Sequence, residues 1–253
     1  MRSIDLNVDL GETASPVPSA AELDLLGVAS SVNLSCGLHA GNPSLLRHLL
    51  VAATERGVVA GAHPSYDDRA HFGRRETGLP AAAIGPLIAR QLAFLIDLAT
   101  AAGTRLRYVK AHGALYHRTA WHPDAAGAFA HAIHAVAPDL WILAPAASPL
   151  AAACAGLGIR FAAEAFLDRG YLADGHLVPR DQPGAFVHDP KQVAARAVAL
   201  ARGEPVAAHD GSPLRVAADS LCTHGDSTSA LPVLRAARDA LLRAGLAIHS
   251  FVP

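Results

Sequence analysis

The sequence predicts an α/β protein whose parallel strands close, or nearly close, into a βα barrel. Short buried strand patterns alternate with Ala- and Leu-rich stretches of helical period, their connections are tight, and about seven such units fit in 253 residues. An open, doubly wound sheet produces the same local signals and is the alternative. Because no linker or change of composition divides the chain, residues 1–253 are expected to form a single domain.

Each predicted strand is a short, mostly apolar run bounded by Gly, Pro, Asp or His. The seven predicted strands are Ile4–Leu10, Val32–Cys36, Val58–Ala62, Tyr108–Ala111, Trp141–Ala144, Phe161–Ala165 and Ser220–Thr223.

Helix start and stop signals lie between these strands. Asn42-Pro43 predicts a capped helix that ends at Gly57, and Asp189-Pro190 precedes a helix over Lys191–Ala201. The remaining helical patterns are Leu79–Ala102, whose start Gly85-Pro86 is expected to delay, Asp124–Val136 and Thr228–Ala244. Residues 170–186 break the alternation and predict a hairpin excursion over one face, with Asp174-Gly175 in its turn.

The composition excludes several classes of function. A formal net charge of −1 leaves no basic footprint for nucleic acid, and three cysteines cannot form a closed disulfide framework. The uncharged run 140–159 is interrupted by Pro and Gly, which argues against a membrane span, and the N-terminal residues lack the apolar stretch of a signal peptide. The chain contains no GxxxxGK[ST], GxGxxG or GxSxG motif. We therefore expect a cytoplasmic globular protein without nucleic-acid or membrane partners.

Polar residues follow the predicted strands, and these residues predict a functional site. Four histidines, His39, His63, His112 and His224, lie at the ends of four strands. Since the carboxyl ends of strands in βα folds meet at one face, these side chains are expected to share a pocket. The other strand-end candidates are Asn7, Asp9, Glu12, Asn33, Lys110, Glu164, Asp168, Arg169 and Asp226.

Several single residues permit more than one interpretation. Lys110 is one of only two lysines, and its ammonium can bind an oxygen at a point or lose its proton and take part in chemistry. Arg74 and Arg75 can clamp a phosphate or carboxylate from a loop, or lie on solvated surface. The cysteines Cys36 and Cys222 are expected to be small buried residues. Other histidines are expected to serve surface or packing roles: His117, His122, His131 and His134.

Taken together, the motifs resemble the LamB/YcsF family of 5-oxoprolinase A subunits. The matching segments are Ile4–Glu12, Asn33–Pro43, Gly61–Asp68 with Phe72–Arg75, Val109–Tyr116, Asp168–Tyr171 with Leu177–Arg180, and Cys222–Asp226. They follow the family's order and cover nearly the whole chain. The chain departs from the family pattern at Asn42, where Asp is usual, at Ala111, where Pro is frequent, and at His71, where Gly is frequent.

The resemblance implies a fold, a reaction and partners. The fold would be an irregular seven-stranded (β/α) barrel of the glycoside hydrolase and deacetylase type. The chain would be one subunit of an enzyme that hydrolyses 5-oxo-L-proline to L-glutamate, with ATP as co-substrate and two further subunits, B and C, as partners. ATP would be held with those subunits, and a divalent metal is a further candidate cofactor.

On this hypothesis the residues take the following roles. Asp9 or His63 activates water, and Lys110 with His112 binds the substrate oxygen or carboxylate. The expected substrate-binding residues are Asn7, Glu12, Asn33, His39, Arg74, Arg75, Glu164, Asp168, Arg169, His224 and Asp226. One alternative is a metal-dependent deacetylase or hydrolase with Asp9, His39 and His63 as metal ligands. Another is a non-catalytic substrate-binding subunit.

Overall fold

The chain folds into a closed barrel of seven parallel strands surrounded by helices, described for residues 3–253 in a computed structural model. The strands are β1 (Ser3–Leu10), β2 (Ser31–Ser35), β3 (Val59–His63), β4 (Tyr108–Val109), β5 (Trp141–Ala144), β6 (Phe161–Phe166), β7 (Val206–Ala207), β8 (Pro213–Leu214), β9 (Ser220–His224) and β10 (Ala247–Ile248). The barrel contains β1 to β6 and β9. Strands β7 and β8 form a short antiparallel pair, and β10 pairs in parallel with the first residues of β1.

Pairing between β1 and β9 closes the barrel. Asp5 lies opposite Ser220 and Asp9 lies opposite His224, while the other edge of β9 pairs with β6. The predicted barrel is therefore confirmed, and the open sheet is excluded. All seven barrel strands are parallel, so their carboxyl ends lie at one rim.

The helices largely begin where the sequence placed a cap. They are α1 (Ala20–Leu26), α2 (Pro43–Glu55), α3 (Ala81–Ala101), α4 (Gly113–Trp121), α5 (Pro123–Val136), α6 (Pro149–Leu157), α7 (Pro190–Arg202) and α8 (Ala230–Arg243). The Asn42 side chain accepts a hydrogen bond from the Leu45 amide at the start of α2. Asp189 caps α7 in the same way, and Gly203 ends that helix in the left-handed conformation that glycine favours.

One expectation about the helices was wrong, and two helices were not predicted. Gly85-Pro86 does not delay α3, because Ile84 and Ile88 on either side are fully buried and anchor its first turns. The short helices α1 and α4 were not predicted, although Ser19 and Glu22 form a capping box at α1. By length and composition α3 could cross a membrane, but it lies on the barrel with Leu92 buried in the core.

The barrel interior is polar, and this polarity determines the floor of the site. Along β1 the residues Leu6 and Val8 join the hydrophobic core under the helices, whereas alternating Asp5, Asn7 and Asp9 make hydrogen bonds across the barrel. Such buried polar groups are stable only when they are hydrogen-bonded.

Near residue 175 the chain makes the tight antiparallel turn expected for the 170–186 segment. The Leu172 amide bonds to the His176 carbonyl, and Tyr171 bridges Leu177. Arg169 bridges Phe186 at the base of the segment, which brings residues 176–180 over the carboxyl ends of the strands.

Candidate active site

The candidate site is a cavity of about 520 Å³ at the carboxyl rim of the barrel. Asp9, His63, Lys110 and His112 line it, as do His224 and Phe166. Helix α4 and the 176–180 segment form other parts of its wall. Of the four strand-end histidines expected to share a pocket, His63, His112 and His224 line this cavity and His39 does not.

Lys110 is a buried ammonium ion held by three partners. Its Nζ atom lies 3.0 Å from Asp9 Oδ1, 2.9 Å from Glu164 Oε1 and 2.9 Å from Cys222 Sγ. Burial alone would lower the pKa of Lys110, but Asp9, Cys222 and Glu164 raise it well above its ordinary value. Of the two interpretations from sequence, the structure favours the charged ammonium over a neutral amine. Asn7 Oδ1 also lies 3.4 Å from Nζ, so the ammonium group is surrounded by partners and fixes the carboxylates around it.

Asn7 and Asn33 orient Asp9 from below and do not line the cavity. The Asn33 Nδ2 atom donates to Asp9 Oδ1 and to Asn7 Oδ1, each at 2.7 Å. The Tyr108 hydroxyl donates to Asn33 Oδ1 at 2.7 Å, which fixes the orientation of that amide. Burial would raise the pKa of Asp9, but the Lys110 ammonium holds it well below the ordinary value. Asp9 is therefore a carboxylate.

Glu164 and Cys222 lie under the cavity floor beside Lys110. Asn7 Nδ2 donates to Glu164 Oε1 at 3.2 Å, and Glu164 lines a second cavity of about 30 Å³ together with Tyr116. Burial raises the pKa of Cys222 well above its ordinary value, so the residue remains a thiol. The expectation of a small buried cysteine holds, but Cys222 also contacts the ammonium group, which the sequence did not indicate.

Glu12 and three histidines form a second cluster next to Asp9. The imidazoles of His39 and His112 stack with centroids 3.8 Å apart, and His63 meets His112 edge to face. Glu12 Oε1 lies 3.0 Å from His39 Nε2 and 3.2 Å from His112 Nδ1. Burial would raise the pKa of Glu12, but His112 and His39 lower it below its ordinary value. Burial also lowers the pKa of His39 to about 4, so that imidazole is neutral at pH 7.

His224 and Asp168 form a hydrogen-bonded pair at the cavity wall. The Asp168 carboxylate lies 2.9 Å from His224 Nδ1 and accepts a hydrogen bond from the His224 amide at 3.0 Å. The ring of His224 stacks on Phe166. Burial would raise the pKa of Asp168, but His224 lowers it. Because the carboxylate accepts the hydrogen bond from Nδ1–H, Nε2 of a neutral His224 presents a lone pair that can accept a proton.

The three predicted arginines and Asp226 differ in their contacts and in whether they line the cavity. Arg74 lines the cavity and pairs with Asp226 at 2.5 Å. Arg169 also lines it, but its guanidinium donates to the backbone carbonyls of Ala185 and Val178 and so anchors the 170–186 excursion. Arg75 is not part of the cavity wall, its side chain is 61% exposed and lies near Asp68, and its binding role stays a prediction.

Part of the cavity wall was not predicted from the sequence. His117 and His122, expected to be surface or packing residues, line the cavity, and burial lowers the pKa of His117 to about 4. His117 and Trp121 are four and eight residues after Gly113, a spacing that places them on one face of a helix. That periodicity could have identified them once α4 was recognised. His131 and His134 are exposed, as expected. Other cavity residues that were not predicted include Glu76, Tyr116, Arg118, Phe166, His176 and Arg180.

A family model described as the LamB/YcsF family matches residues 4–253. The chain belongs to the LamB/YcsF family. This LamB/YcsF chain is 45% identical over 98% of its length to a protein from Paracidovorax citrulli (strain AAC00-1) that is named as the A subunit of 5-oxoprolinase, and it covers 99% of that protein. It also resembles the crystal structure of a lactam utilization protein from Thermus thermophilus, with a TM-score of 0.90, 35% identity, and coverage of 98% and 100% of the two chains.

The barrel of this LamB/YcsF chain also resembles that of a deacetylase. The catalytic domain of a peptidoglycan N-acetylglucosamine deacetylase from Eubacterium rectale ATCC 33656 aligns with a TM-score of 0.54 over 99% of this chain and 89% of the other. At 10% identity this similarity concerns the fold alone. It agrees with the irregular barrel of the glycoside hydrolase and deacetylase type expected from sequence.

Proposed function

We propose that this chain is the A subunit of a 5-oxoprolinase, which hydrolyses the lactam 5-oxo-L-proline to L-glutamate. The observation that carries the proposal is the near-full-length similarity to a chain named as the A subunit of 5-oxoprolinase. The likeness to a lactam utilization protein supports the same substrate class. ATP is the proposed co-substrate and two further subunits, B and C, are the proposed partners. The proposed location is the cytoplasm.

The charges and apolar groups of the cavity suit a small lactam with one carboxylate. Arg180 lines the cavity, its guanidinium lies 5.3 Å from the Phe186 ring centroid, and no carboxylate within residues 3–253 forms an ion pair with it. Burial and the neighbouring Arg74 lower the pKa of Arg180, so an anion between the two guanidiniums would relieve their repulsion. We assign the substrate carboxylate or a phosphoryl group to this pair.

The reaction needs an activated carbonyl because an amide is a poor electrophile. Transfer of the ATP γ-phosphoryl group to the lactam oxygen would produce an imidate phosphate and ADP. Addition of water to that carbon, cleavage of the C–N bond and loss of phosphate would then produce glutamate. The partner subunits would supply ATP, because the chain contains no P-loop motif.

Two groups at the floor and wall can handle water and protons. Asp9 is ionised, its Oδ1 is bound by Asn33 and Lys110, and its Oδ2, which lies 3.5 Å from His63 Nε2, would hold the attacking water. His224, oriented by Asp168, can take up at Nε2 the proton that the attacking water loses and pass it to the departing nitrogen. In this scheme Lys110 acts by fixing Asp9. Catalysis thus depends on a carboxylate held by Asn33 and Lys110 and on an imidazole held by Asp168.

Reconstitution of the three subunits tests the proposal. The purified chain, mixed with the two partner subunits, 5-oxoproline and ATP, is expected to form glutamate, ADP and phosphate in equal amounts. Asp9→Asn should lower the rate by about 10²–10⁴-fold, whereas Lys191→Ala on the exposed start of α7 should leave it unchanged. No glutamate from a folded, assembled mixture would refute the proposal.

The same mixture separates the two alternatives. Full turnover by Asp9→Asn together with unchanged 5-oxoproline binding would indicate a non-catalytic binding subunit. Release of acetate from an N-acetylated sugar without ATP would indicate a deacetylase.

A further inference from the structure

We propose that Glu12, His63 and His112 bind a divalent metal ion of the zinc type at the cavity floor. The three side chains follow the carboxyl ends of β1, β3 and β4. One ligand atom from each lies within 4.8 Å of the other two, and His63 and His112 line the cavity. This trio differs from the set expected from sequence, because Glu12 and His112 stand in place of Asp9 and His39.

Backbone carbonyl groups determine which imidazole nitrogens carry hydrogen. His63 Nδ1 lies 2.8 Å from the Lys110 carbonyl oxygen, and His112 Nε2 lies 2.9 Å from the Phe72 carbonyl oxygen. A carbonyl can only accept, so each of these nitrogens must donate. In the neutral imidazoles the other nitrogens, His63 Nε2 and His112 Nδ1, therefore present lone pairs. These two atoms face each other at 3.0 Å.

The facing atoms are arranged like three corners of a tetrahedral site. A tetrahedral ion with ligand bonds of about 2.0–2.1 Å separates its ligand atoms by about 3.4 Å. The separations here are 3.0 Å between the two nitrogens, 3.2 Å from Glu12 Oε1 to His112 Nδ1 and 3.9 Å from Glu12 Oε1 to His63 Nε2. A shared proton would satisfy only the nitrogen pair, whereas a metal ion would satisfy all three atoms.

The surroundings hold these ligands in place. Phe72 is the only non-glycine residue with a positive φ in the described range 3–253, at 56°, and its carbonyl binds His112. Such a conformation is unfavourable for a residue with a side chain and persists only where neighbouring contacts enforce it. Gly73 follows it, and a Cβ there would lie 3.1 Å from the His112 ring. On the other side, His39 Nε2 contacts Glu12 Oε1 at 3.0 Å. Backbone and imidazole contacts of this kind commonly orient metal ligands.

The donor set matches a particular class of cation. Two imidazole nitrogens and one carboxylate oxygen suit zinc and related first-row divalent ions, and a fourth position directed at the cavity is typical of catalytic sites. Such an ion polarises a bound oxygen or lowers the pKa of a bound water. This proposal concerns cation binding by the chain alone and does not depend on the proposed lactam hydrolysis.

Metal titration of the isolated, chelator-treated full-length chain tests the proposal. Isothermal calorimetry with zinc chloride should show one ion per chain, and cobalt(II) should produce the intense visible bands of a four-coordinate site. His112→Gln should weaken zinc binding by about 100-fold or more. His131→Gln is the matched control, because His131 is exposed on α5 and should leave the affinity unchanged. If circular dichroism shows that His112→Gln is unfolded, Glu12→Gln takes its place.

Two results would overturn the proposal. Absence of zinc binding by the wild-type chain would leave a shared proton between His63 and His112. If His112→Gln and His131→Gln bind zinc with the same affinity, His112 is not a ligand and the metal is taken up by surface histidines. Since no lactam, ATP or partner subunit is present, either failure is distinct from failure of the turnover assay.

Discussion

Replacement of Lys110 by methionine tests the proposed floor of the site most directly. Methionine keeps the length and apolar stem of lysine but removes the charge between Asp9 and Glu164, whose oxygens lie 3.0 and 2.9 Å from Nζ. The wild-type group of three carries a charge of −1. Lys110→Met leaves −2 in a buried space, whereas Glu164→Gln leaves a neutral pair. We therefore expect Lys110→Met to be far more damaging than Glu164→Gln.

The magnitude follows from the burial of these groups. Removing one partner of a buried ion pair costs about 3–5 kcal/mol, because the remaining charge is uncompensated. Lys110 and Asp9 are 2% and 3% exposed, so the full range applies. For a chain of this size the loss corresponds to a decrease in Tm of about 6–20 °C. Lys110→Met/Glu164→Gln restores a charge of −1 and should recover about 1–3 kcal/mol.

Urea unfolding of the isolated chain at pH 7, followed by circular dichroism, measures these differences. The expected order of stability is Glu164→Gln, then the double variant, then Lys110→Met. Lys191→Met, at an exposed position of α7, should change the free energy of unfolding by less than about 0.5 kcal/mol. A cost below about 1 kcal/mol for Lys110→Met, or no recovery in the double variant, would refute the assignment of Lys110 as a charge that stabilises its neighbours.

Three further substitutions test other parts of the structure. Burial raises the pKa of Asp5 from 3.8 to about 6, so its contribution to stability is complete below pH 3.8 and is lost as the pH rises through 6. Between pH 4 and pH 7.5 the free energy of unfolding of Asp5→Asn, measured in urea, should therefore increase by about 3 kcal/mol relative to that of wild type. A difference between the two proteins that does not change with pH would contradict this. Asp168→Asn should lower kcat in the reconstituted enzyme by about 10²–10⁴-fold, because the Asp168 carboxylate orients His224. An unchanged kcat would exclude proton transfer by that pair. Arg180→Ala should raise KM for 5-oxoproline or ATP by about 10-fold or more, and an equal effect of Arg90→Ala, an exposed position on α3, would show that the loss is not specific.

The sequence predicted the barrel because its strands and helices each carry a local signal. Apolar runs bounded by Gly, Pro, Asp or His marked the seven barrel strands to within a few residues, and Asn42-Pro43 and Asp189-Pro190 marked two helix starts. The rule that strands of a parallel sheet end at one rim then predicted the gathering of His63, His112 and Asp9. These inferences need only the order of residues and the geometry of a βα unit.

The roles within the rim depend on distances between residues far apart in sequence. Asn7 and Ser220 are 213 positions apart yet share a hydrogen bond, and no periodicity encodes that contact. Arg74 and Arg75 are adjacent and chemically equal, but the loop directs one into the cavity and the other towards solvent. Whether a strand-end residue lines the cavity or supports a neighbour is therefore decided by closure of the barrel and by the loops at its rim.

By itself the sequence determined the fold class, the family resemblance and the set of polar residues that meet at the carboxyl rim. Only the tertiary structure decided that Lys110 is an ion-paired ammonium, that Glu12 joins His63 and His112, and that α4 supplies part of the cavity wall. The physical reason is that charge state, tautomer and exposure depend on which groups lie within a few ångströms. Closure of the barrel and the packing of its loops fix those neighbours.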